Sequence, residues 1–187
     1  MEYAGVSEAS LEGEHWSFAL ALYNAPGVAE ACLSLQDRYG LDVNLLLVAL
    51  FAAARRGQEL DGATLATLDT AVAPFRAEVI QPLRAIRRGL KNYQGPQAAA
   101  VAMLRAGIKR GELQAEQVQQ ALLVDHLPPP PPSSTAVNLH TVARRVLAHF
   151  TGQPGPGDEA ELAIATILGG IAAVSPGKID RLQSKDS

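Results

Sequence analysis

Apolar positions in this chain recur at intervals of three and four, and the stretch from Tyr39 to Gly57 reads as a helix, from Val43 to Arg56, that is apolar on every side. A helix without a polar face belongs at the centre of a bundle. Its ends are marked as clearly as its body. Gly40 suits a left-handed stop to the preceding helix, Asp42 can accept hydrogen bonds from the first free amides, and Arg55 and Arg56 suit the negative end before Gly57. Upstream, a helix is expected from about Glu14, with Trp16, Leu20 and Tyr23 on a broad apolar surface, until Asn24-Ala25-Pro26-Gly27 breaks the pattern. Pro26 then opens a second helix. There Val28, Ala31, Cys32, Leu35 and Tyr39 form a stripe to be laid against the all-apolar helix.

Beyond Gly57 the longest stripe runs through Leu65, Leu68, Val72, Phe75, Val79, Leu83, Ile86 and Leu90, with Pro74 and Pro82 inside it predicting a kink or a restart near each. Asn92 to Pro96 makes a tight connection to a second long pattern: Val101, Leu104, Ile108, Gly111, Ala115, Val118 and Leu122. So short a link predicts an antiparallel hairpin. Gly107 and Gly111, each weaker than alanine in a helix by roughly 1 kcal/mol, mark the expected break in it. Pro128 to Pro132 with Ser133 and Ser134 predicts an extended spacer. Past it come a helix over 137–150, a turn at Gly152 to Gly157 and a last helix from Asp158 to Val174. The expected organisation is a loose leader over 1–13, a helical domain over 14–127, a proline-rich linker over 128–135, a helical pair over 136–176 and a frayed tail over 177–187. The fold class is all-α: a bundle with a buried central helix and a long antiparallel hairpin, plus a C-terminal helical pair.

Composition narrows the function classes more than it selects one. The chain has 187 residues, 48% of them hydrophobic and only 5% aromatic, which suits close-packed helices and excludes wholesale disorder. A net charge of -3 gives no reason to expect bulk nucleic-acid or membrane binding. The lone cysteine, Cys32, and an acidic start without a signal-peptide pattern point to the cytoplasm. The longest apolar run, Leu45 to Ala54, is half of what a bilayer span of roughly 20 residues needs.

The pattern resembles a proteobacterial family of uncharacterised helical proteins known as a domain of unknown function. The likeness rests on Trp16 to Leu22, Pro26 to Leu33 with Leu35-Gln36-Asp37, and the string Gly40-Leu41-Asp42-Val43-Asn44-Leu45-Leu46-Leu47. It continues through Phe75 to Leu90 and Glu112 to Leu123, covering roughly residues 14 to 150. The resemblance implies a compact cytoplasmic helical domain and brings no activity, cofactor or catalytic residue with it. The proline run and the last helix lie at or past its edge.

Among candidate sites, Arg84, Arg87, Arg88 and Lys91 share one helix face at i, i+3, i+4 and i+7. Arginine forks match phosphate and carboxylate, so this stripe suits an acidic protein surface or a phosphate-bearing ligand. The bland alternative pairs it with Glu112 and Glu116 across the hairpin. Arg105, Lys109 and Arg110 form a second basic group. A pocket near the start of the central helix, with Trp16, Asp42 and Asn44, is the other candidate, against capping and core roles for those residues. His15, His126, His140 and His149 lack metal spacing, and no metal or cofactor is expected. Two readings follow: a non-enzymatic interaction or adaptor module using the basic stripe, or a helical enzyme or small-ligand carrier using the pocket. The long hairpin stripe also suits a homo-oligomer.

Overall fold

The computed structural model describes residues 11–132, 136–153 and 157–174. Three helices open it: α1 (Glu14–Tyr23), α2 (Val28–Tyr39) and α3 (Val43–Arg56). A bent arm follows, made of α4 (Gly62–Phe75), a π-helical segment (Arg76–Ile80) and α5 (Gln81–Gly89), and it turns back into α6 (Ala98–Asp125). The chain continues with α7 (Leu139–Thr151) and α8 (Asp158–Val174). The described residues form an all-α bundle with no strand among them. Residues 1–10 of the expected leader over 1–13, residues 133–135 after the proline run, residues 154–156 in the Gly/Pro turn and residues 175–187, which include the expected tail, lie outside the described residues.

Helix α3 is the axis of the bundle, with every residue from Asn44 to Ala53 buried. Gly40 and Gly57 both take left-handed backbone, at φ 66° and 59°, which only glycine adopts without strain. Asp42 Oδ1 accepts from the backbone N–H of Asn44 at 2.8 Å and of Leu45 at 3.3 Å, so the cap expected from sequence is present. At the other end the guanidinium groups of Arg55 and Arg56 lie over the rings of Phe18 and Phe51, 5.7 and 5.1 Å from the centroids.

Helices α7 and α8 share this core rather than standing apart. Val142, Ala143, Val146 and Leu147 of α7, and Ala160, Ala163, Ile164, Ile167 and Ile171 of α8, are buried in one cluster with α2 and α3. The helices approach closely at Gly170, where an added Cβ would lie 2.7 Å from Val28 Cγ2 and 2.9 Å from Leu22 Cδ1. Polar ties reinforce it: Arg38 pairs with Glu159, and Arg145 bonds the Leu60 carbonyl and Glu59, both at 2.8 Å.

Two expectations for the hairpin are corrected. Helix α6 runs unbroken for 28 residues through Gly107 and Gly111. The weak helix propensity there is outweighed by tertiary ties, above all the buried Glu112 that holds Arg84 and Arg87. The arm before it, by contrast, is not one continuous stripe. Pro74 sits inside α4 without ending it, and the backbone then widens so that the Gln81 N–H bonds the Arg76 carbonyl five residues back. Pro82, which has no N–H to give, follows at once. One extra residue turns the following face by about 100°. Ile80 is therefore buried where the stripe named Val79, no residue of α5 is fully buried, and Ile86 is 52% exposed. The rotation carries Arg84 and Arg87 to the side facing α6.

Among the described residues no single helix is long and apolar enough to cross a membrane; α1 and α2 reach that length together only across a 96° bend.

Candidate binding cleft

On α6, Ala106, Lys109, Arg110, Glu112, Leu113, Glu116 and Gln120 form one wall of a cleft of about 670 Å³. Facing it are Trp16, Leu20 and Tyr23 of α1, Leu33 and Gln36 of α2, Val43, Asn44 and Leu47 of α3, and Arg84, Arg87 and Arg88 of α5. The volume lies within the roughly 300–1,000 Å³ of small-molecule sites. Chemistry changes along the α6 wall, from the cations Lys109 and Arg110 through Leu113 to Glu116 and the buried Gln120.

At its middle the cleft holds an arginine–carboxylate cluster. Arg84 Nη2 donates to Glu116 Oε1 at 2.6 Å, its Nε to Glu112 Oε1 at 3.3 Å and its Nη1 to Gln36 Oε1 at 2.7 Å. Arg87 forks onto Glu112, through Nε to Oε2 and through Nη2 to Oε1 at 3.1 Å, and this bond raises its guanidinium above the usual arginine range. Burial raises the Glu116 carboxyl above the usual glutamate range although Arg84 pulls it down and Glu112 adds to the rise. Burial likewise raises the phenol of Tyr23, with Cys32 and Glu116 adding to the effect.

The four residues of the basic stripe thus occupy different surroundings. Arg84 and Arg87 are largely buried and pair with Glu112 and Glu116. Arg88 is exposed and reaches the equally exposed Asp37 at 3.3 Å, and Lys91 stands in the open at the turn. Of the four cations, only Arg84 and Arg87 pair with Glu112 and Glu116, and the cleft formed around them was not legible in the sequence. Arg105 bonds the Arg87 carbonyl at 3.2 Å. Lys109 and Arg110 are exposed at the cleft and have no ion-pair partner among the described residues.

Of the alternative pocket residues, Trp16 and Asn44 line this cleft, whereas Asp42 does not. Asp42 is buried behind it in a polar network. Its Oδ2 accepts from Arg76 Nη1 and from Gln119 Nε2, each at 2.6 Å. Gln119 Oε1 in turn accepts from Asn44 Nδ2 at 2.6 Å, and Asn44 Oδ1 accepts from Gln120 Nε2 at 2.9 Å. The last group, Gln120 Oε1, is buried without a hydrogen-bond partner among the described residues. Gln119 and Gln120 carried no signal in the sequence, because glutamine in a helix ordinarily faces water.

A second groove of about 590 Å³ lies on the other side of this network, lined by Asp42, Asp69, Arg76 and Gln119. Its charges satisfy one another: Arg76 bridges Asp42 and Asp69, and Asp69 Oδ2 also lies 3.0 Å from His149 Nε2. Burial alone would raise the Asp69 carboxyl, but the hydrogen bonds of His149 and Arg76 outweigh it and hold the group below the usual aspartate range. Burial pushes the Cys32 thiol up to about 12, so it is inert. Among the described residues no group of three or more His, Cys, Asp or Glu side chains is placed to hold a metal ion.

Fold and cleft together define an all-α protein with a central buried helix and a side cleft of ligand size. The chain belongs to the family described as "Protein of unknown function (DUF2390)", whose pattern matches residues 14–123, from the first turn of α1 nearly to the end of α6. The match takes in every residue that lines the cleft and stops short of α7 and α8. No curated protein and no solved structure matches the chain.

Proposed function

We propose that the protein is a cytoplasmic, non-enzymatic binding module and that it takes a small amphipathic anion into the cleft beside α6. The observation that carries this reading is the graded wall: Lys109 and Arg110, without an ion-pair partner among the described residues, at one end and apolar Leu113, facing Leu20, Leu33 and Leu47, next to them. Five cations line the cleft (Arg84, Arg87, Arg88, Lys109 and Arg110) against two carboxylates, Glu112 and Glu116. A carboxylate or phosphate head meets the excess charge, and its hydrocarbon body covers apolar side chains otherwise in contact with water.

The only tryptophan of the chain, Trp16, lies on the cleft wall and reports its occupancy. Titration with decanoate and with decyl phosphate, followed by tryptophan fluorescence, is expected to give a saturable change that weakens with added salt. The two probes separate a carboxylate preference from a phosphate preference. Replacing both cations, Lys109→Gln with Arg110→Gln, is expected to weaken the preferred probe about tenfold, or about 1.4 kcal/mol. No saturable change with either probe, or unchanged affinity in the double variant, refutes the reading.

Exposure of Arg88, Lys91, Lys109 and Arg110 favours an acidic protein surface as a second reading. A partner recovered by affinity purification with the intact chain and lost when Arg88 and Lys91 are replaced by glutamine, with Lys109 and Arg110 kept, would favour it.

A further inference from the structure

The buried amides behind the cleft form a chain with a fixed direction. An ionised carboxylate only accepts hydrogen bonds, so the Asp42 side chain requires the amide N–H of Gln119 to face it, at 2.6 Å. The carbonyl oxygen of Gln119 must then face Asn44, which supplies its own N–H at 2.6 Å. That leaves the Asn44 oxygen toward Gln120, which answers with its N–H at 2.9 Å. Each orientation forces the next, and the last member ends on an acceptor. Gln120 is 2% exposed, it lines the cleft, and its Oε1 has no partner among the described residues. Turning this amide over would set oxygen against oxygen at Asn44, so rearrangement within the chain does not relieve it. A buried acceptor left unmet is costly, and a ligand that meets it is favoured over one that does not.

We infer that the Gln120 end of the cleft reads a hydrogen-bond donor, so that the ligand is an amphipathic anion bearing a hydroxyl or amide N–H remote from its charged head. This deepens the proposed function and rests on it. The spacing supports a remote donor: from Arg110 to Gln120 the wall rises about 15 Å along α6, with Leu113 between.

The test compares decanoate with ω-hydroxydecanoate by Trp16 fluorescence, in the intact protein and in Gln120→Met. In the intact protein the terminal hydroxyl is expected to improve affinity about tenfold. Gln120→Met should abolish that preference while still binding decanoate. The intact protein's pair of titrations decides the matter even where Gln120→Met fails to fold. Equal affinity of the two probes for the intact protein overturns the inference and leaves the cleft reading in place. A preference that persists in a folded Gln120→Met protein also overturns it. Failure of both probes to bind removes the inference together with the proposed function.

Discussion

Replacing Asp42 by alanine removes two supports at once, and their sizes differ enough to be separated. The carboxylate caps α3 through Asn44 and Leu45, an interaction that alone contributes about 1 kcal/mol. It also neutralises Arg76, whose side chain is only 20% exposed while that of Asp42 is 5% exposed. Breaking so buried a pair by deleting one partner costs about 3–5 kcal/mol, and the lower end applies because Arg76 keeps Asp69 at 2.8 Å. Cap and pair share one side chain and do not add, so a total of about 3 kcal/mol is expected for Asp42→Ala. Asn138, which caps α7 through the Thr141 N–H at 3.2 Å and has no charged partner among the described residues, gives the reference. Its alanine variant should lose about 1 kcal/mol. Asp42→Asn keeps one capping oxygen but sets an amide against the donors of Arg76 and Gln119, and should fall between the two. Urea unfolding followed by far-UV circular dichroism measures all three, with midpoints shifted and slopes unchanged. A cost for Asp42→Ala no greater than for Asn138→Ala would show that the buried network adds nothing beyond the cap, and the reasoning would fail.

Adjacent glycines in α8 should respond with opposite signs. Gly170→Ala drives a methyl group against Val28 and Leu22 and is expected to destabilise by about 1–3 kcal/mol, whereas Gly169→Ala meets open space and should stabilise by up to about 1 kcal/mol, both read from thermal or urea unfolding. Asp69 is held below its ordinary range in the folded state, so it contributes stability above its unfolded value of about 3.9 that is lost as pH falls through the lower folded value. Urea midpoints measured downward from about pH 5 should therefore fall less steeply in Asp69→Asn than in the intact protein, and parallel curves would contradict the assignment.

What could be read from the chain in advance was mostly local. The limits of α3 follow from Gly40, Asp42 and Gly57, each of which acts within a few residues of itself, and the same holds for the stop after Tyr23 and the span of α8. The π-helical turn was not legible, because Pro74 and Pro82 announce trouble without saying how the backbone resolves it. Gly107 and Gly111 misled for a related reason: propensity is a weak local term, and Glu112 is held by arginines from another helix. The site needed still longer range. Asn44 meets Gln119 across 75 positions and Arg84 meets Gln36 across 48, distances at which spacing along the chain carries no information. Trp16 and Asn44 line the same cleft, whereas Asp42 lies behind it.

The burial of α3 has a consequence for the order of events at the ribosome. One side of this helix is covered by α7, and α8 closes the core against α2. About a hundred residues therefore have to be synthesised after Arg56 before the last walls can arrive. At some 5–20 residues per second that is on the order of ten seconds, during which a helix apolar on every side has no complete shelter. The nascent chain would expose during that interval the surface that the finished protein hides best, so its yield in a cell is set as much by what guards that helix during synthesis as by the stability of the completed fold.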